Sequence, residues 1–274
     1  MKKTILITGA SRGFGKIWTE AFLKRGDNVI ATSRNIDHLQ ELADKYGDAI
    51  LTLQLDITSK ADCIAAVNSA KQHFGTIDVL INNAGYSVFG TIEENSEKEA
   101  RDLFDANVFG TLWMTQAILP IFRKQNHGHI IQLSSVMGIN TLPTMGLYSA
   151  TKFAVEGLSE ALQAEVKDFG INVTMIEPNS FKTDFFGSSA IESAPIDAYA
   201  KVTSDFRNGD GVKPENIGDP NATIKAIMSI VDAEKPPLRL FLGKLAYPWT
   251  QYTYTQKLAS WDEWKDVSAQ AHGH

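Results

Sequence analysis

A chain of 274 residues with 43% hydrophobic and 21% charged side chains has the make-up of an ordinary globular protein, which excludes collagen-like, disordered and disulfide-scaffold classes. The formal net charge of −6 argues against a nucleic-acid partner, and the lone Cys63 permits no intrachain disulfide. No apolar run approaches the roughly 20 residues that span a bilayer, and no basic-then-apolar leader precedes the first strand-like run, so a cytoplasmic protein without membrane insertion is expected.

In chain order, short β-branched runs alternate with longer segments of helical period. Strands are expected at Thr4 to Thr8, Val29 to Ser33, Ile50 to Gln54, Val79 to Ile81, His129 to Leu133 and Val173 to Ile176. Helices are expected at Gly15 to Arg25, Ile36 to Lys45, Lys60 to Phe74, Glu97 to Phe122 and Ser149 to Phe169, with a break near Gly110 that divides the fourth. This alternation predicts an α/β fold: a Rossmann-type doubly wound parallel sheet, buried on both faces in a three-layer α/β/α arrangement.

No repeat, low-complexity tract or Pro- or Gly-rich linker divides the chain, so residues 1–274 read as one domain with a core over 1–180. Residues 181–220 mix Ser, Gly, Pro, Asp and aromatics without a sustained period. Following the carboxyl end of a late strand, where open α/β sheets bind ligands, they read as a lid; the alternative is a surface insertion packed on the sheet edge. The extension over 247–274 carries Tyr, Trp and Lys from Tyr247 to Trp264, which reads as a cap on a cleft or a contact with another subunit.

Thr8-Gly9-Ala10-Ser11-Arg12-Gly13-Phe14-Gly15 follows the first strand and opens the first helix, the context of a phosphate-binding glycine loop. Glycines let backbone N–H groups approach a pyrophosphate, and the helix N-terminus adds positive potential. The spacing is G-x-x-x-G-x-G, not the commoner G-x-G-x-x-G. At the end of the second strand an acidic residue would bind a ribose 2′-hydroxyl; here Ser33 and Arg34 stand instead. A guanidinium suits a phosphate dianion, and Arg12 is within reach of the same group, which favours NADP(H) over NAD(H). Asp56 either accepts from the adenine amine or caps the helix beginning near Lys60. No metal site is expected.

Tyr148 and Lys152 stand four residues apart in Tyr-Ser-Ala-Thr-Lys, so on a helix both side chains face one way. A nearby ammonium favours a phenolate, lowering the tyrosine pKa from its reference of about 10 toward neutral pH, which suits acid–base work. By spacing alone the pair is common on exposed helices.

Taken together, these motifs resemble the short-chain dehydrogenase/reductase family, from Thr4 to about Thr183. The glycine loop matches that family's loop, Asn82-Asn83-Ala84-Gly85 matches its NNAG signature, and Asn107, Ser135, Tyr148 and Lys152 match its catalytic tetrad in order. Ser135, thirteen positions before Tyr148, fits better than Ser134. The resemblance implies that Ser135 hydrogen-bonds a substrate oxygen and that Tyr148 protonates it as hydride arrives from the nicotinamide. It further implies that Lys152 holds the ribose and lowers the tyrosine pKa, that Asn107 supports a water-linked proton path, and that Asn83 contacts the nicotinamide-side ribose. The implied cofactor-binding set is Gly9, Ser11, Arg12, Gly13, Phe14, Gly15, Ser33, Arg34, Asp56, Ile57, Asn83, Ala84, Gly85, Pro178 and Thr183, with Tyr148 and Lys152.

One departure stands out: Asn179 follows Pro178 where the family has glycine. Asn tolerates positive φ, so the turn is expected to survive, with Thr183 placed for the nicotinamide carboxamide or a phosphate. The expected activity is reversible reduction of a ketone or aldehyde with NADPH. The alternatives are a catalytically silent NADP-binding regulator and an epimerase or dehydratase with tightly held cofactor. Phe181, Phe185, Phe186, Tyr199, Phe206, Tyr247 and Trp249 suggest an apolar pocket for a small hydrophobic carbonyl or alcohol, or else core and interface packing. The stripe Phe153, Val155, Leu158 and Leu162 is part core and part candidate subunit contact, and the resemblance implies a homodimer or homotetramer.

Overall fold

The runs of Val, Ile and Leu are apolar at successive positions, the pattern of strands covered on both faces. In the computed structural model, which describes residues 2–187, 190–209 and 213–273, they form β1 (Thr4–Ile7), β2 (Asn28–Ser33), β3 (Ile50–Gln54) and β4 (Val79–Asn82). The later strands are β5 (Ser87–Phe89), β6 (Gly128–Leu133), β7 (Ile171–Pro178), β8 (Ala190–Glu192) and β9 (Arg239–Leu242). Seven of them make one parallel sheet in the order β3-β2-β1-β4-β6-β7-β9, while β5 and β8 pair separately.

The helices are α1 (Gly13–Arg25), α2 (Gln40–Tyr46), α3 (Lys60–Phe74), α4 (Glu97–Phe104), α5 (Thr111–Gln125), α6 (Gly146–Val166), α7 (Ala200–Arg207), α8 (Ile224–Asp232), α9 (Ala246–Glu263) and α10 (Lys265–Gln270). Alternate strand residues feed the two faces: Ile5 and Ile7 pack with Trp18 and Phe22 of α1, whereas Leu6 packs with Ile118 and Phe122 of α5. The result is the predicted single-domain, doubly wound α/β architecture. Chain order reverses direction at β1, which lies between β2 and β4, so the carboxyl ends of β1 and β4 border the crevice that such a reversal opens.

Several boundaries differ from the sequence reading. Helix α1 begins at Gly13 rather than Gly15. The expected break near Gly110 is a π-helical segment, Asp105–Gly110, joining α4 to α5. Helix α6 starts at Gly146, so Tyr148 lies in its first turn. Strand β9 and helices α7 to α10 carry structure where no element was expected. The segment 181–220 contains β8 and α7, and β8 is tied to β5 through the pairs Ser87 to Ala190 and Phe89 to Glu192. Among the described residues no helix is long and apolar enough to cross a membrane.

His129 of β6 is buried, its Nε2 2.9 Å from Thr174 Oγ1, and burial holds its pKa down at about 3, with the Lys3 charge adding to the effect. An unfolded histidine titrates near 6.5, so below that pH the unfolded chain binds a proton that the folded chain refuses. This stability is complete above pH 6.5 and is lost as pH falls toward 3, at about 1.4 kcal/mol per unit. Urea unfolding at pH 7 and pH 5 should therefore show a drop in wild-type stability that His129→Gln lacks; equal drops would contradict the buried neutral state.

Candidate active site

The glycine loop is shaped by backbone contacts that no side chain fits. Gly9 and Gly13 have φ of 68° and 52°, and a Cβ on Gly15 would stand 2.2 Å from Gly9 O. Helix α1 has no side-chain cap and no acidic residue in its first turn, so its leading N–H groups are left for an anion. Thr8 Oγ1 accepts from the backbone N–H of both Asn83 and Ala84 at 3.0 Å, clamping the loop to the chain after β4. Asn83 Nδ2 donates to Thr8 O at 2.9 Å and to Gly9 O at 3.0 Å. Both amide hydrogens of Asn83 thus brace the loop and are not free for the ribose contact expected of it. The loop's shape fits a dinucleotide pyrophosphate. Thr183 borders it, its Cβ 3.7 Å from where a Gly13 Cβ would stand.

Ser33 is buried at the end of β2 and Arg34 is exposed beside it; Arg12 is exposed at the start of α1. The Arg34 charge reaches Tyr86, pulling down a phenol that burial chiefly pushes up. Asp56 accepts from the N–H and the hydroxyl of Thr58 at 3.0 and 2.8 Å, closing its own turn. It does not cap α3: Ser59 does, through its Oγ to Asp62 N. Ile57 fills the space against Gly110, where a Cβ would come within 2.9 Å of its side chain.

Asn107 is buried in the π-helical segment. Its Oδ1 accepts from Tyr86 N at 3.1 Å, and its Nδ2 donates to Tyr86 O at 3.0 Å and Thr151 Oγ1 at 3.2 Å. It thereby ties the loop after β4 to α6, and the same crowding leaves a Gly85 Cβ only 2.9 Å from Asn107 Oδ1. At the end of β6, Leu133 O accepts from Lys152 Nζ at 2.6 Å. Ser135 Oγ accepts from Met137 N at 3.1 Å. The Ser135 hydroxyl lies beside Tyr148 and lowers its pKa, whereas Ser134 donates to Glu156, so Ser135 is the serine at the tyrosine.

The expected lowering of the tyrosine pKa is not what burial produces. Tyr148 is 4% exposed, and the loss of water pushes its phenol up, with only the Ser135 bond opposing. Lys152 stands 5.7 Å from the Tyr148 ring centroid and is pushed down to about 8 by its own burial, opposed by the Glu156 charge. The positive-φ expectation at Asn179 also fails. Among the described non-glycine residues only Asn126 and Thr144 have positive φ; the left-handed conformation near Asn179 belongs to Gly243, φ 93°, whose Cβ would meet Asn179 Oδ1 at 1.9 Å. Asn179 spends its amide on Ser180 O and Asn216 O.

A cavity of about 750 Å³ runs from Phe14, Asn83 and Gly85 past Pro178 and Thr183 to Ser135, Tyr148 and Lys152. Beyond Tyr148 its wall is mostly apolar, with Met137, Leu142, Met145, Phe185, Phe206 and Trp249, and Asp205 also lines it. Of the aromatics singled out in sequence, Phe181, Phe185, Phe206 and Trp249 line it. Tyr199 instead donates to Glu93 at 2.6 Å, Tyr247 is exposed against Phe241, and the Phe186 side chain lies outside the described residues. Thr8 was expected only as part of the glycine loop, and Tyr86 and Glu156 were not expected at the site. Glu156 was legible as a residue four positions after Lys152 on the same helix.

The fold is of the doubly wound α/β type, and the relatives of the chain are oxidoreductases. The short chain dehydrogenase model matches residues 3–193, and the chain belongs to that family. The chain is 34% identical to oxidoreductase BOA17 of Botryotinia fuckeliana over 98% of both chains. It is 36% identical to the 3-ketodihydrosphingosine reductase of Bacteroides thetaiotaomicron over 88% of both. A short-chain dehydrogenase of Streptomyces avermitilis superposes with a TM-score of 0.91 at 38% identity, over 99% of both chains. A serine dehydrogenase solved with NADP+ superposes at 0.76 and 28% identity, over 88% of this chain and 95% of that one.

Thr144, two residues before α6 begins, has φ 66° and a buried hydroxyl with no hydrogen-bond partner. A β-branched residue in the left-handed region is strained, and an orphan hydroxyl adds to the cost. Thr144→Gly removes both, and equilibrium urea unfolding should show a gain of about 1 kcal/mol; a loss of stability would refute the strain.

Proposed function

We propose that the protein reversibly reduces a small hydrophobic ketone or aldehyde, with NADPH as the preferred donor. The observation that carries this reading is the convergence of the Tyr148 hydroxyl, the Ser135 hydroxyl and the Lys152 ammonium where a loop fit for a pyrophosphate opens into an apolar pocket. In this reading Ser135 donates to the substrate oxygen and orients it. Tyr148 delivers the proton to that oxygen in reduction and recovers it in oxidation. Lys152, fixed by Leu133 O, offers its remaining N–H groups to ribose hydroxyls and its charge to the phenolate form. The nicotinamide cofactor, when bound, supplies the hydride. Asn107 holds the loop after β4 against α6, so that the cofactor cradle and Tyr148 keep their spacing.

The preference for NADPH rests on Ser33 in place of an acidic residue, with Arg34 and Arg12 exposed at the same end. The apolar wall, with Phe185 and Phe206 from the 181–220 segment and Trp249 from the extension, supports a lid-covered pocket for a hydrophobic carbonyl. A relative whose name is 3-ketodihydrosphingosine reductase is in keeping with keto-group chemistry. Phe153 and Leu158 are exposed on α6 while Val155 and Leu162 are buried, which supports pairing of that helix with a second copy in a homodimer or homotetramer.

A panel of carbonyl compounds run with NADPH and with NADH tests the reading. Tyr148→Phe should lower turnover by about a thousandfold while NADPH affinity, read by fluorescence titration, stays within about threefold; retained turnover would remove Tyr148 from the chemistry. Arg34→Ala should weaken NADPH about tenfold and leave NADH unchanged, since only the former carries the extra phosphate. Equal losses for both would show that Arg34 does not read it.

A further inference from the structure

Behind the reaction centre lies a buried charge cluster that the proposed chemistry leaves unused. Glu156 sits on α6 one turn after Lys152 and is 6% exposed. Its Oε1 accepts a short bond from Ser134 Oγ, and its Oε2 accepts from Arg239 Nε at 3.0 Å. Arg239, from the edge strand β9, also pairs with Glu160 of α6 at the solvent side. On β7, Glu177 is fully buried; its Oε1 lies 3.2 Å from Arg239 Nε, yet neither of its carboxylate oxygens has a hydrogen bond. Burial and the Glu156 charge push Glu177 up to about 8, so at neutral pH it is mostly protonated. Burial pushes Glu156 up as well, with the Ser134 bond and Arg239 opposing, so of the two it is the carboxylate with partners for its charged form.

Three consecutive residues at the end of β6 meet three successive turns of α6. The Leu133 carbonyl takes Lys152, the Ser134 hydroxyl takes Glu156, and the Ser135 hydroxyl lies beside Tyr148 and lowers its pKa. Glu156 therefore fixes the strand end that presents two groups of the reaction centre. Its packing is close: a Cβ on Gly138 would stand 2.8 Å from both Glu156 Cγ and Ser134 Oγ. We propose that Glu156 is a positioning residue for the reaction: its carboxylate, held by Ser134 and Arg239, fixes the end of β6 and stands one helical turn from Lys152 as its counter-charge.

The groups facing this pair are known element by element. Helix α6 contributes Tyr148, Lys152 and Glu160, β7 contributes Glu177, and β9 contributes Arg239; Asp105 of the π-helical segment is exposed. Burial alone lowers Lys152, and among the charges acting on it Glu156 is the one that raises it. Removing that charge lowers Lys152 further, so the ammonium is lost at a lower pH.

The inference rests on the reductase reading, so the test carries two readouts. One is the alkaline limb of kcat/KM for NADPH-dependent carbonyl reduction; the other is the titration of Lys152 followed by NMR of 13C-labelled lysine side chains, assigned by Lys152→Arg. Glu156→Gln keeps an acceptor for Ser134 and removes the charge, and both midpoints should move down by about one pH unit. Ser134→Ala, a mild change of volume, removes a bond that holds Glu156 ionised and should move both midpoints the same way by a smaller amount. Midpoints unchanged in both variants, even with lower turnover, would overturn the proposal and leave Glu156 a packing residue. If wild type reduces no carbonyl, the reductase reading fails, and the NMR titration still decides the link between Glu156 and Lys152.

Discussion

The reaction centre depends on one buried junction, where the first two turns of α6 lie against the end of β6. Lys152 Nζ donates to Leu133 O at 2.6 Å, a charge-assisted bond made away from water, and it sets how the helix sits on the strand. Once that is fixed, the geometry of α6 places Tyr148 one turn earlier and Glu156 one turn later, so neither needs an independent anchor to reach Ser135 and Ser134. β6 holds its own position because it is central: β4 flanks it on one side and β7 on the other, with six residue pairs in register from Gly128 to Leu133. The rigid part of the sheet thus carries the residues whose spacing matters most.

The cofactor cradle is joined to this junction by polar bonds made largely between backbone and short side chains. Thr8 and Asn83 lock the glycine loop to the end of β4, and Asn107 locks the chain after β4 to α6. A π-helical segment is an uncommon way to carry Asn107, and such segments recur at functional positions because they turn a side chain off the regular helical register. Here the turn lets one amide bond the Tyr86 backbone in both directions and still reach Thr151. These are the places where the sequence breaks a simple helical or strand pattern, and each break is a bond between two elements.

Much of the architecture was readable because parallel strands buried on both faces have to be continuous apolar runs, and six of the seven sheet strands are. The seventh, β9, was not: Arg239–Leu242 is four residues long, only partly buried, and opens with an arginine that serves the carboxylates of α6 and β7. Strands β5 and β8 have three residues each and pair only with one another, too short for any periodic signal. The tetrad and glycine loop were legible as motifs; Ser135, Tyr148 and Lys152 line one cavity, and Asn107 is tied to α6 through Thr151. What spacing does not reveal is burial. A lysine four residues from a tyrosine reads as a device for lowering the phenol's pKa, but enclosing both groups moves each toward its neutral form. Likewise Asn179 looked suited to positive φ, while the strain fell on Thr144 and the left-handed turn on Gly243.

The apolar wall and the buried carboxylates belong to one electrostatic problem. Phe185, Phe206, Met145 and Trp249 keep water from Tyr148, which strengthens every polar contact made there and raises the cost of any charge left alone. An ammonium enclosed there is stabilised by a counter-charge on the protein side, since Asp205, the carboxylate of the cavity lining, is paired with Lys201. In the proposed reading Glu156 is the carboxylate in that position, and Arg239 and the Ser134 hydroxyl favour its ionised form, which joins the sheet edge to the residues around Lys152. The arginine that hid β9 from the sequence reading is thus the far end of the same chain of contacts that begins at Tyr148.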